Sequence, residues 1–186
     1  TVHRPLARGN DLAKLYPSEI APLSAIPEQT PEAYTALGDT LGPDDTAALF
    51  LNEMPRVPPN FAVTTTFQID QMVCETPLAA SGRDDHEQFR LEELSKNDVP
   101  QMLALTKLTE PGPFRRRTIE FGGYTGIFTG DRKLAAMAGQ RLRLPGFTEV
   151  SAVCTHPDHR GKGYARAVML AVISGISRRG EVPILH

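Results

Sequence analysis

Tryptophan is absent from this chain of 186 residues, only two cysteines are present, and aromatic side chains make up 6% of it. So few thiols cannot build a disulfide framework. Cys74 and Cys154 each lie in an apolar, strand-like run and read as buried thiols of a reducing compartment, with a disulfide between them as the weaker reading. Excess charge is missing too: 20 Lys and Arg against 22 Asp and Glu leave a net charge of −2. That balance gives no general attraction to nucleic acid or to acidic membranes. No apolar run approaches the roughly 20 residues of a membrane span, and no signal-peptide pattern is visible at the N-terminus. The expectation is a cytoplasmic protein without nucleic-acid or membrane partners; a homodimer stays open.

What is plentiful is proline, unevenly spread. Pro5, Pro17, Pro22, Pro27, Pro31, Pro43, Pro55, Pro58 and Pro59 cut the N-terminal territory into short pieces. Within it, Thr30 and Pro31 suit the start of a helix over 31–41. A strand over 46–51 and one or two strands over 61–75, rich in Val, Thr, Phe and Ile, follow. Pro77, Ser81, Gly82, Asp84 and Asp85 mark a linker over 76–87. Residues 1–80 are therefore read as a smaller α/β lobe, and 88–186 as a second domain.

That second territory reads as a strand over 89–94, a helix capped by Ser95 or Asn97 and running to about Lys107, and a short helix over 115–121. A hairpin over 124–128 and 133–142, a strand over 149–155, a helix and a strand from Val182 complete it. The order predicts an α/β fold with a mixed sheet and helices on both faces.

The most informative stretch is 149–165. A strand over 149–155 is followed by Pro157, and Arg160-Gly161-Lys162-Gly163-Tyr164-Ala165 leads into a helix. Two glycines strip side chains from the turn, so backbone N–H groups can approach an outside group, and the helix start aims its positive dipole end at the same point. Arg160 and Lys162 add positive charge. A Walker loop would need Ser or Thr where Gly163 stands, and a dinucleotide fingerprint would need glycine where Arg166 stands. A tight turn shaped by glycine for geometry alone remains the competing reading.

Arg160, Gly163 and Ala165 resemble the Arg/Gln-x-x-Gly-x-Gly/Ala motif of the GNAT N-acetyltransferase superfamily. The wider run 148–166 is most similar to the branch of glycine N-acyltransferase-like and bacterial acetyltransferases. The resemblance implies a mostly antiparallel GNAT sheet flanked by helices over 88–186, with the N-terminal lobe as a degenerate GNAT-like half that shapes the acceptor pocket. It implies acetyl-CoA as co-substrate and no metal. The backbone of Gly161, Lys162, Gly163, Tyr164 and Ala165, with Arg160, would hold the diphosphate, and that of Val153, Cys154 and Thr155 would pair with the pantetheine arm. It also implies a further helix and strand after Val182, often with a tyrosine acid. These are expected to be missing from a chain that begins at Thr1 and ends at His186, read as processed or truncated.

Attack of an amine on a thioester needs a proton acceptor, because an alkylamine near neutral pH is mostly ammonium. Glu149 lies 11 residues before Arg160, the spacing of the strand-borne glutamate in some GNAT enzymes, and is the candidate base. Strand alternation would point it to the side of Val153 and Thr155. A backbone N–H near Val153 would polarise the thioester oxygen. Arg116, within Arg115-Arg116-Arg117, and Glu120, Tyr124 and Ser151 are candidates to line the acceptor cleft, although a triple arginine also fits a solvated face. His156 and His159 read as turn residues at the CoA entrance, with a metal pair as the weaker reading. The expected function is acetyl transfer to a primary amine within a ternary complex. A silent CoA-binding module, or an enzyme using a longer acyl-CoA, stands as the alternative.

Overall fold

The computed structural model describes residues 2–42, 44–75 and 89–186; the linker expected over 76–87 lies outside the described residues. Two compact units form, His3–Ile69 and Asp70–His186, the latter joined by Val2.

In the first unit, Thr30 is extended and its Oγ1 accepts the Ala33 N–H at 3.2 Å. Pro31 takes the first helical position, where an N–H would find no helical partner. These two residues start α1 (Pro31–Thr40), whose buried side carries Ala33, Tyr34, Ala36 and Leu37. Tyr34, Ala36 and Leu37 share a core with Ala13 and Leu15. Strands β1 (Arg8–Gly9), β2 (Lys14–Leu15), β3 (Leu23–Ala25) and β4 (Ala48–Leu49) form one sheet in that order. The strand expected over 61–75 shrinks to β5 (Met72–Val73), which belongs to the second unit. Val63 and Phe67 stay exposed, and no strand pairs with 61–71 among the described residues. Strand propensity there has no pleated neighbour to pack against.

The second unit continues with β6 (Leu91–Glu93), α2 (Val99–Thr109), β7 (Thr125–Phe128), β8 (Leu134–Leu144), β9 (Phe147–Thr155), α3 (Tyr164–Arg178) and β10 (Val182–Leu185). The six strands lie in the order β5-β10-β9-β8-β7-β6, antiparallel except for β9 with β10. On one face, Val99, Met102 and Leu105 of α2 pack on Leu134, Met137 and Cys154. On the other, Ala167, Val168, Val172 and Ile176 of α3 cover Ala136, Ala138 and Val150. This is the mixed, mostly antiparallel α/β arrangement that the sequence led us to expect. The helix expected over 115–121 is a single 3-10 turn, Thr118–Phe121, ended by Gly122 and Gly123 at positive φ. Among the described residues no helix is long and apolar enough to cross a membrane.

Gly139 matters to this core because a Cβ there would collide with the ring of Tyr124. That ring is 2% exposed and packs edge-on against Phe114 at 5.7 Å. Gly139→Ala is expected to lower stability by about 1–3 kcal/mol, the usual cost of overpacking. Urea denaturation measures it, and an unchanged midpoint would mean the ring has room to move.

Candidate active site

β9 is built to break its own alternation. Gly139 pairs with Ser151 and Met137 with Cys154, so Ala152 and Val153 together face the single residue Ala138, and Ala152 sits at φ 54. This is a β-bulge. Before it, Val150 joins the α3 core; after it, Val153 does so too, while Ala152 and Cys154 pack on the α2 side. The reading that placed Glu149 on the side of Val153 and Thr155 is therefore corrected. Glu149 and Ser151 face the α2 side, because the bulge resets the parity.

Beyond β9 a 3-10 turn, Pro157–His159, is closed by the Asp158 N–H donating to His156 Nδ1 at 3.3 Å. Gly161 at φ 74 and Gly163 at φ 81 then hold a left-handed backbone that side chains disfavour. Gly163 caps α3 without a side chain that bonds its N–H groups. The helical ladder opens with the Ala167 N–H donating to the Gly163 carbonyl at 3.0 Å, so Tyr164 and Ala165 point their N–H groups out of the helix end. The turn and the end of β9 line one cleft of about 340 Å³.

Of the residues expected to hold a cofactor, Val153, Cys154, Thr155, Arg160, Gly161, Gly163, Tyr164 and Ala165 all line that cleft. Lys162 is not among the lining residues; its Nζ lies 3.2 Å from His159 Nδ1, and His159 is on the wall. The Thr155 Oγ1 is buried without a hydrogen-bond partner among the described residues. A buried orphan hydroxyl of this kind is costly unless a ligand completes it. Sequence reading missed Thr109, Pro111 and Arg166 on the same wall. Thr109 ends α2 and Pro111 lies two residues beyond it. Burial pushes the Cys154 thiol up to about 11, with only partial relief from its hydrogen bond with Thr109. It is held as a neutral thiol, a poor nucleophile.

Glu149 sits elsewhere, 1% exposed and surrounded by partners. The Arg141 Nε donates to its Oε2 at 2.7 Å and Nη2 to its Oε1 at 2.5 Å; His186 Nδ1 lies 2.8 Å from Oε1. Burial alone would raise its pKa, but the bonds and charge of Arg141, with the bond to His186, outweigh that and hold it below the usual glutamate range. A carboxylate so held is a weak proton acceptor.

The acceptor candidates are dispersed, and none lines the 340 Å³ cleft. Arg116 is exposed. Glu120 is gripped by Arg117 through bonds of 2.7 and 2.9 Å, which hold its carboxyl below the usual range. Tyr124 is a core residue whose pKa burial raises. Ser151 is half-buried opposite Gly139.

An FR47-like protein family model matches residues 124–186. The crystal structure of a GNAT-family acetyltransferase from Novosphingobium aromaticivorans is 32% identical, over 99% of this chain and 79% of that one, with a TM-score of 0.77. The chain belongs to the GNAT family of N-acetyltransferases. Partial likenesses include the ribosomal-protein-S18-alanine N-acetyltransferase of Escherichia coli, at 20% identity over 49% of this chain and 61% of that one, with a TM-score of 0.42. Rv2747 of Mycobacterium tuberculosis, solved with CoA, is 14% identical over 50% of this chain and 60% of that one, with a TM-score of 0.45. No curated protein matches the sequence.

Proposed function

We propose that the chain transfers the acetyl group of acetyl-CoA to a primary amine by direct attack within a ternary complex. The observation that carries this reading is the meeting, in one cleft, of the glycine turn at the start of α3 and the bulged end of β9. N–H groups at the helix start suit a diphosphate. The buried Thr155 hydroxyl fits the polar pantetheine arm, and an extended β9 backbone offers that arm strand-like pairing.

Acetyl-CoA supplies an activated thioester; the protein orients it. Sharp re-aiming of the backbone at Ala152 and Val153 gives one N–H the freedom to face the thioester oxygen as a small oxyanion hole. A neutral, buried Cys154 favours direct attack by the amine over an acyl-cysteine intermediate.

The reading is tested by thiol release from acetyl-CoA with a panel of primary amines. Amine-dependent release is expected. Tight CoA binding with no release from any amine would instead make the chain a silent CoA-binding module.

A further inference from the structure

A buried carboxylate–imidazole pair stands where β9 and β10 part. β10 pairs with only the first three residues of β9, from Val182↔Phe147 to Ile184↔Glu149. Past that point, β9 has β8 as its sheet neighbour among the described residues. His186 follows Ile184 by two positions, so it returns to the face of its sheet neighbour Glu149. There its Nδ1 lies 2.8 Å from Glu149 Oε1. The two side chains are 11% and 1% exposed, well screened from water.

The pair also has a direction. Glu149 is held charged by Arg141, so His186 Nδ1 must be the N–H that donates to it. In the neutral ring this leaves Nε2 as an acceptor, and the Gln71 side-chain nitrogen lies 2.7 Å from it, in the place of a donor. An amine is a donor of the same kind. If the diphosphate lies at the start of α3, a pantetheine arm following β9 runs from Thr155 back past the bulge. Its thioester end then travels toward Glu149 and His186, three residues beyond Ala152 or about 10 Å along an extended chain.

We infer that His186 is the proton acceptor of the transfer step and that Glu149 is its positioning residue, an inference that rests on the transferase reading above. The amine nitrogen bonds to the thioester carbon as its proton passes to His186 Nε2. The C–S bond then breaks, and the imidazolium returns that proton to the departing thiolate, so the ring ends as it began. Glu149 fixes the tautomer and stabilises the transient imidazolium, the division of labour familiar in carboxylate–histidine catalysis. Among the described residues, the charged or titratable groups near the ring include Glu149 and, through it, Arg141 and Tyr124.

Two measurements on the whole chain decide the matter. Long-range proton–nitrogen spectra at neutral pH should find His186 protonated on Nδ1. In amine-dependent thiol release, His186→Gln should lower kcat by about 10²–10⁴-fold while CoA affinity holds, and should remove the acidic limb of the kcat profile. Glu149→Gln should lower kcat while CoA affinity holds and should let the ring proton spread to Nε2, because the ring loses the carboxylate that fixes its tautomer; a merely structural pair would leave kcat in place. A proton on Nε2, or the same acidic limb with and without the imidazole, overturns the inference. Wild-type chain that binds CoA yet releases no thiol with any amine overturns the transferase reading instead, while the spectra still decide the tautomer.

Discussion

Gly163→Asp should weaken CoA binding by roughly 100-fold or more, because a like charge set against the diphosphate costs several kcal/mol, at about 1.4 kcal/mol per tenfold. The fold should survive. A Cβ at this position meets nothing nearer than the Phe89 ring, at 3.9 Å, and aspartate tolerates a left-handed backbone better than most residues. Gly163→Ala separates strain from charge, since it carries the same φ 81 with no carboxylate. Calorimetry on the two variants should show a small loss for alanine and near-complete loss for aspartate. Equal affinity of wild type and Gly163→Asp would remove the diphosphate from this turn.

Arg141→Met is expected to cost about 3–5 kcal/mol of stability near neutral pH, because it strands a charged carboxylate among buried neighbours. Its pH dependence should run opposite to that of the wild type. In the native chain, burial works to raise the pKa of Glu149, but Arg141 and His186 hold it below the unfolded value of about 4.3. The contribution of Glu149 is then present above that value and is lost as pH falls through the lower folded one. Without Arg141, burial dominates and the folded pKa rises. Acidification from neutral pH toward 5 should therefore recover part of the lost stability in the variant, and chemical denaturation at both pH values measures this. A variant as stable as wild type at pH 7 would mean that Glu149 finds another cation or water. The pair itself gives little evidence of net stabilisation, since desolvation of both charges opposes their attraction.

Local signals made the turn and strand that line the cleft at the start of α3 legible in the sequence. The alternation of 149–155, the glycines at 161 and 163 and the three- and four-residue spacing of Val168, Val172 and Ile176 each act within a few residues of themselves. The rest depends on partners far away in the chain. A bulge at Ala152 leaves no mark in composition, so the side on which Glu149 falls was misjudged. Arg141 and His186, eight and 37 positions from Glu149, meet it only because β8 and β10 flank β9. Thr109 and Pro111 reach the cleft from α2 across the sheet face, and nothing in their own neighbourhood announces it. The threonine-rich run before β5 shows the converse error, for residues suited to a strand stay unpaired when no neighbour lies beside them.

The measurement that bears most directly on the account is a titration of the labelled chain with CoA, followed amide by amide. The largest shifts are predicted at Gly161, Lys162, Gly163, Tyr164 and Ala165 and along Val153, Cys154 and Thr155, where helix start and bulged strand share a cleft. Saturable binding that leaves those amides unmoved would contradict it.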